Sequence, residues 1–276
     1  MDGSLRYPDN GELLEDASIL RNAVYFATAQ RASVGYRILD RLVDPTDEPS
    51  SDLLSFLAVD AFTAEMSSTE DLLGWLFVLR DWQPGDPRKS LFPLLDYVQV
   101  GRGEYSEQKA RKLLDSLDAH TFRSLIHVPT DEELEGNGFS LKVRGRIDDS
   151  MAANLESFKR LVNMRQRENR GYVVAFNKLK HLLLAIPTNA RGRPEVLVPG
   201  RVKFDQDSKS IGIQTLWISC DPPSIRILAS RAVIAQAVLN SILGIILWIR
   251  YGVVYESPRW AVASLGLPGW REEEVT

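Results

Sequence analysis

From Glu12 to Val43 apolar residues recur at steps of three and four: Leu13, Ala17, Leu20, Val24 and Ala27, then Val34, Ile38 and Leu42 beyond Arg31. One face of a 3.6-residue repeat needs that spacing, so the pattern predicts one long helix. Asp44-Pro45-Thr46-Asp47-Glu48-Pro49 ends it, because proline cannot continue a helix, and Ser51 is placed to cap the next. Asp52 to Met66 predicts a second helix. Ser67-Ser68-Thr69-Glu70 carries N-cap chemistry and predicts a separate third helix through Leu72, Trp75, Leu76 and Leu79. Trp82-Gln83-Pro84-Gly85-Asp86-Pro87 has the composition of a turn, and short helices are expected around 90–98 and 106–120.

Two stretches are patterned differently. In Gly138 to Ile147, Phe139, Leu141, Val143 and Ile147 fall on one side and Lys142, Arg144 and Arg146 on the other. That period of two predicts a half-buried strand, with a structured loop as its competitor. Residues 194–218 hold strand-like runs at Glu195–Val198, Arg201–Phe204 and Ile211–Ile218, with a turn at 205–210. Between the two stretches a long helix is expected over 150–186, with a kink at Gly171. Residues 232–249 carry no charge, a length that borders on a membrane span. Gln236, Asn240 and Gly244 form one stripe there, and lipid offers the two amides no partner, whereas a bundle core can. The expectation is a buried core helix closed by Arg231 and Arg250, with no stable membrane insertion. Together these elements predict a mainly α protein, a single helical bundle with a small antiparallel β insertion at 194–218.

Composition narrows the class. With 44% apolar and 25% charged residues the chain is an ordinary globular one rather than a disordered one. The single cysteine, Cys220, excludes an internal disulfide framework and suits a reducing compartment. No basic stretch followed by an apolar one opens the sequence, so a secretory signal is not expected and the cytoplasm is. The net charge of −4 hides an asymmetry: residues 1–141 hold 13 Lys/Arg against 25 Asp/Glu, whereas 142–181 hold 10 against 4. A basic stretch of that kind can serve an anionic ligand, or it can be neutralised by the acidic half folded against it.

Phosphate loops of the GxxxxGKS type, GxSxG elbows, HExxH and zinc-spaced Cys/His clusters do not occur. Three histidines and one cysteine make a metal site built from them unexpected, and no other cofactor is called for. Cys220 reads as a small buried or loop residue. The suggestive constellation is Phe176-Asn177-Lys178-Leu179-Lys180-His181. Asn177 and His181 are four apart, which on a helix places them on one face about 6 Å apart. Arg170 shares a stripe roughly 40° wide with them, at about 100° per residue, and Arg167 lies beside it. An imidazole that titrates near neutrality, an amide and the cations Arg167, Arg170, Lys178 and Lys180 suit metal-free phosphodiester chemistry. A helical histidine beside lysine and asparagine also serves as an ordinary surface or core residue, and Leu182-Leu183-Leu184 marks a packed turn.

A helical bundle with Asn-x-x-x-His late in a long helix resembles the HEPN superfamily, four-helix-bundle proteins of bacterial toxins, defence nucleases and RNA-processing factors. The family motif is an arginine, a polar residue that is often asparagine, three residues and a histidine. Asn177 and His181 match its polar and histidine positions, while Phe176 occupies the arginine position and Arg170 lies roughly 10 Å further along the axis, at about 1.5 Å per residue. The resemblance implies metal-independent RNA cleavage at a homodimer cleft where the motif is complete. Where the arginine is missing it implies binding of RNA, nucleotide or protein without efficient cleavage. The expected function is therefore HEPN-like RNA or nucleotide binding with weak cleavage at His181 and Asn177. The alternative is a non-catalytic interaction subunit, such as an antitoxin or assembly component, whose partner is another protein.

Overall fold

The computed structural model describes residues 16–26, 33–43, 49–84, 86–98, 105–168, 176, 179, 185–189, 191–205 and 210–252. The chain is mainly α with one small antiparallel sheet, as its patterning predicts. Among the described residues the helices are α1 (Asp16–Phe26), α2 (Ser33–Val43), α3 (Ser51–Asp81), α4 (Leu91–Tyr97), α5 (Glu107–Ser116), α6 (Ala119–Leu125), α7 (Asp131–Gly136), α8 (Leu141–Glu168) and α9 (Pro222–Tyr251), and Phe176 and Leu179 are helical as well. The strands are β1 (Ile186–Thr188), β2 (Glu195–Asp205) and β3 (Ser210–Ser219), paired in that order. Two compact units result: one from residues 1–30, 70–159 and 236–276, the other from 31–69 and 160–235.

In the first unit the buried side chains of α3, α6, α8 and α9 include Phe77, Phe122, Phe158, Leu239, Leu243 and Ile246. Asp16 joins three parts of this unit, its Oδ2 accepting from Trp82 Nε1 at 2.8 Å and its Oδ1 from the Leu91 backbone N–H at 2.8 Å. Within the expected turn at 82–87 the Asp86 N–H donates to the Gln83 carbonyl at 3.1 Å, and the chain enters a 3₁₀ turn at Pro87–Lys89, capped by the Asp86 carboxylate; Gly85 lies outside the described residues. In the second unit Ile38, Leu57, Phe62, Ile225 and Ala229 pack with Val196, Val198, Leu216 and Ile218 from one face of the sheet. Gly35 lets α2 approach α9, since a Cβ there would meet Val233 Cγ2 at 2.7 Å.

Several expectations are corrected. The second and third predicted helices are one, α3, because Thr69 Oγ1 donates to the Glu65 carbonyl at 2.9 Å instead of capping a new start. The cap of α3 is Ser50, whose hydroxyl accepts from the Leu53 N–H, and not Ser51. Residues 141–147 are helical, not a strand. Ser140 caps α8, and Ile147, Met151, Leu155 and Phe158 bury one helical face, while Leu141 of the alternating set is exposed. Phe139 instead stands edge-on to Trp248, with ring centroids 5.4 Å apart. The expected helix 150–186 begins earlier, and Ile186 belongs to a strand. Glu195–Val198 and Arg201–Phe204 form a single strand, with an irregularity between Pro199 and Val202. Of the expected helix 12–43, α1 and α2 are described, and residues 27–32 lie outside the described residues.

Residues 232–249 lie within α9, which is long and apolar enough to cross a membrane by length and composition. Ala232, Val233, Ala235, Val238, Leu239, Ile242, Leu243, Ile246 and Leu247 are buried within the protein. Gln236 is buried too, yet neither amide atom has a hydrogen-bond partner among the described residues.

Candidate functional site

Asn177, Lys178, Lys180, His181 and Arg170 lie outside the described residues, and so does the side chain of Arg167 in the last turn of α8. Two neighbours within the motif are described. Phe176 and Leu179 are helical and buried, and both pack in the second unit with the sheet residues Val196, Val198, Leu216 and Ile218. Their three-residue spacing puts both on one helical face. The fully buried Phe176 also explains why arginine is not found at that position: an unpaired guanidinium in such surroundings costs several kcal/mol.

The N-terminal part of the basic stretch is engaged by its surroundings. Arg144, only 13% exposed, donates from Nη1 to Glu135 Oε2 at 2.8 Å and thereby ties α8 to the acidic α7. Lys159 Nζ donates to the Leu117 carbonyl at 2.6 Å. Arg123, from α6, is also buried: its Nη1 reaches Asp131 at 2.7 Å and Asp148 at 2.6 Å, while Nε and Nη2 both donate to the Pro129 carbonyl. Of the three, only the Arg144–Glu135 pair sets an acid of residues 1–141 against a base of 142–181. Arg160 is exposed.

Among the described residues outside the predicted set, Cys220, Arg231 and His127 are engaged by their surroundings. Burial pushes the Cys220 thiol up; Ser55 opposes the shift, and the carboxylates of Glu195 and Asp221 add to it. The thiol is therefore held protonated and is a poor nucleophile. Arg231, expected as a charge closing the core helix, lies inside α9 and faces Glu65 Oε1 at 3.3 Å, both side chains largely buried. His127 has φ 58° and is half-buried, with Nε2 3.0 Å from the Leu79 carbonyl. A carbonyl only accepts, so Nε2 carries the proton. Trp82 stands edge-on to the imidazole at 5.2 Å, and Arg250 Nε donates to the His127 carbonyl at 2.8 Å. No sequence motif announces that cluster; its partners are 48 and 123 residues away from His127.

Among the described residues no group of three or more His, Cys, Asp or Glu side chains is placed to hold a metal ion. A small cavity in the first unit is lined by apolar side chains, among them Leu72, Leu76, Phe122, Phe158 and Leu239, and by Trp75, and holds no charged group to orient a substrate. Comparison of the chain with protein-family models, with curated proteins and with solved structures gives no match.

Proposed function

We propose that this chain is a HEPN-like cytoplasmic protein that works as a homodimer and binds RNA or a nucleotide through residues 142–181. Asn177 and His181 stand at the contact and Arg167, Arg170, Lys178 and Lys180 hold the phosphates; cleavage is weak or absent. What supports this reading is that the Asn-x-x-x-His stretch belongs to a mainly helical chain and that Leu179 inside it and Phe176 just before it are helical and anchored in a core. The reading places α9 in the protein core and not in a bilayer. If cleavage occurs, the imidazole of His181 moves the proton at the ribose hydroxyl or at the leaving oxygen, and the cations answer the growing phosphate charge. Without the motif arginine that last contribution is short by one group, which is why slow turnover is expected.

The test is His181→Ala. On this reading RNA binding falls little, because a neutral imidazole contributes little affinity, while residual cleavage disappears and the wild-type cleavage persists in EDTA. A second reading, a protein-interaction subunit such as an antitoxin or assembly component, is favoured by the engagement of Arg144 and Lys159, which are not offered to a phosphate. It predicts that wild type neither binds nor cleaves RNA, and that His181→Ala lowers the melting temperature.

A further inference from the structure

The sheet of the second unit has two unlike faces. Val196, Val198, Leu216 and Ile218 turn to the core, so their neighbours Leu197 and Trp217 turn the other way, as alternation requires. Ile186, Leu197 and Trp217 lie opposite one another in register, which makes a row across all three strands on that outer face. The row is not sealed: Ile186 is 41% exposed, and Leu197 and Trp217 are partly exposed. Over its Trp217 end lies Arg191, with the guanidinium carbon 4.0 Å from the ring centroid.

Arg191 comes from the exposed turn between β1 and β2, which the Gly192 N–H closes onto the Asn189 carbonyl at 2.9 Å. Gly192 has φ +74°, a conformation that places Arg191 and Arg193 on either side of a tight bend and that a side chain rarely adopts. Arg193 is anchored through Nε to the buried Glu195 at 2.8 Å, and its side chain remains 64% exposed. Arg191 forms no ion pair with a described residue, and residues 189–194 contain no acid. A guanidinium held over an indole keeps its charge while losing little entropy on binding.

An apolar and aromatic row on an open sheet face, edged by fixed guanidinium groups, is what a single-stranded nucleic acid recognises: bases stack, and phosphates meet the arginines. We infer that the outer face of this sheet, with Trp217, Arg191 and Arg193, is a contact surface for single-stranded RNA, separate from residues 142–181. The phosphates lie on Arg191 and Arg193, and a base stacks on the exposed side of the Arg191–Trp217 pair. This inference rests on the proposed RNA reading, extending it from one segment of the chain to a second.

The experiment titrates the full chain against a short fluorescein-labelled oligouridine at several salt concentrations. Arg191→Ala/Arg193→Ala should weaken binding on the order of tenfold. It should also make the plot of log affinity against log salt shallower, by about 0.7 for each phosphate that is no longer held. Arg191→Lys keeps the charge but not the plane; it should leave the slope near wild type and still lose affinity several-fold. Lys178→Ala/Lys180→Ala separates the two segments. If that variant loses affinity while both arginine variants bind as wild type does, the sheet face is only surface packing, the inference is overturned, and the reading of 142–181 survives. If wild type binds no oligouridine at low salt, both are overturned.

Discussion

Arg123 in the first unit and Arg191 in the second are both held by their surroundings, in opposite ways. Arg123 commits its guanidinium to protein: two carboxylates and a backbone carbonyl leave its side chain 10% exposed. Arg191 rests on an aromatic ring, exposed, with no ion pair to a described residue. The first fastens α6, the 127–130 loop and α8 together. The second is positioned but not neutralised. A basic residue in a sequence therefore says little until its saturation is known, because the same charge serves as a fastener in one place and as a contact in the other.

The comparison breaks most severely where a charge is placed with nothing to answer it. Leu243 is fully buried in α9, and Leu243→Asp should cost several kcal/mol and leave no cooperative thermal transition. A variant that melts like wild type would show that α9 does not sit in this core. Next comes the fastener itself. Arg123→Ala removes charge-assisted bonds of about 1.5–3 kcal/mol each in principle, but both carboxylates are half-exposed and return to water. A net loss of about 2–3 kcal/mol in urea unfolding is expected, with Arg191→Ala costing much less. Equal losses would erase the distinction.

A smaller effect concerns His127. Burial holds its pKa below the usual histidine value, the Leu79 carbonyl opposes this, and Arg250 adds to it. The unfolded chain therefore takes up a proton first as pH falls through about 6.5. The contribution of His127 to stability is complete above that value and declines below it, until the folded form is protonated too. His127→Asn tolerates the positive φ and cannot titrate, so its stability should fall less than that of wild type between neutral and mildly acidic pH. A steeper fall in the variant would contradict the assignment.

How much of this is legible in sequence follows from how local each signal is. The apolar spacing around Leu72 to Leu79 and across 232–249 reports a helix without help from elsewhere, and both helices are present. Ser67-Ser68-Thr69 misleads because a hydroxyl that can cap can equally bond back to its own helix, and only the continuation of packing on both sides decides. Residues 139–147 mislead because a short alternating run also fits the first turns of an amphipathic helix; Ile147, Met151 and Leu155 set the period, and Phe139 finds Trp248 over a hundred residues away. The strand β1 is invisible to pattern because three residues with Pro187 at their centre carry none, and it exists through its pairing with β2. For the candidate site, the sequence supplies Asn177, His181 and their flanking cations. It does not tell that Phe176 is a core residue or that Arg144 is answered by Glu135, since both depend on neighbours distant in sequence or on burial. Trp217 and Arg191, 26 positions apart, meet only through the sheet.

On the proposed function this helical protein holds RNA through its cations. The most direct measurement is the affinity of the wild-type chain for short single-stranded RNA as salt is raised. If Arg167, Arg170, Lys178 and Lys180 each hold one phosphate, and Arg191 and Arg193 one each as well, log affinity should fall against log salt with a slope of roughly −4, at about 0.7 per phosphate. No binding at low salt, or binding that salt does not change, would contradict the claim and leave the protein-interaction reading in its place.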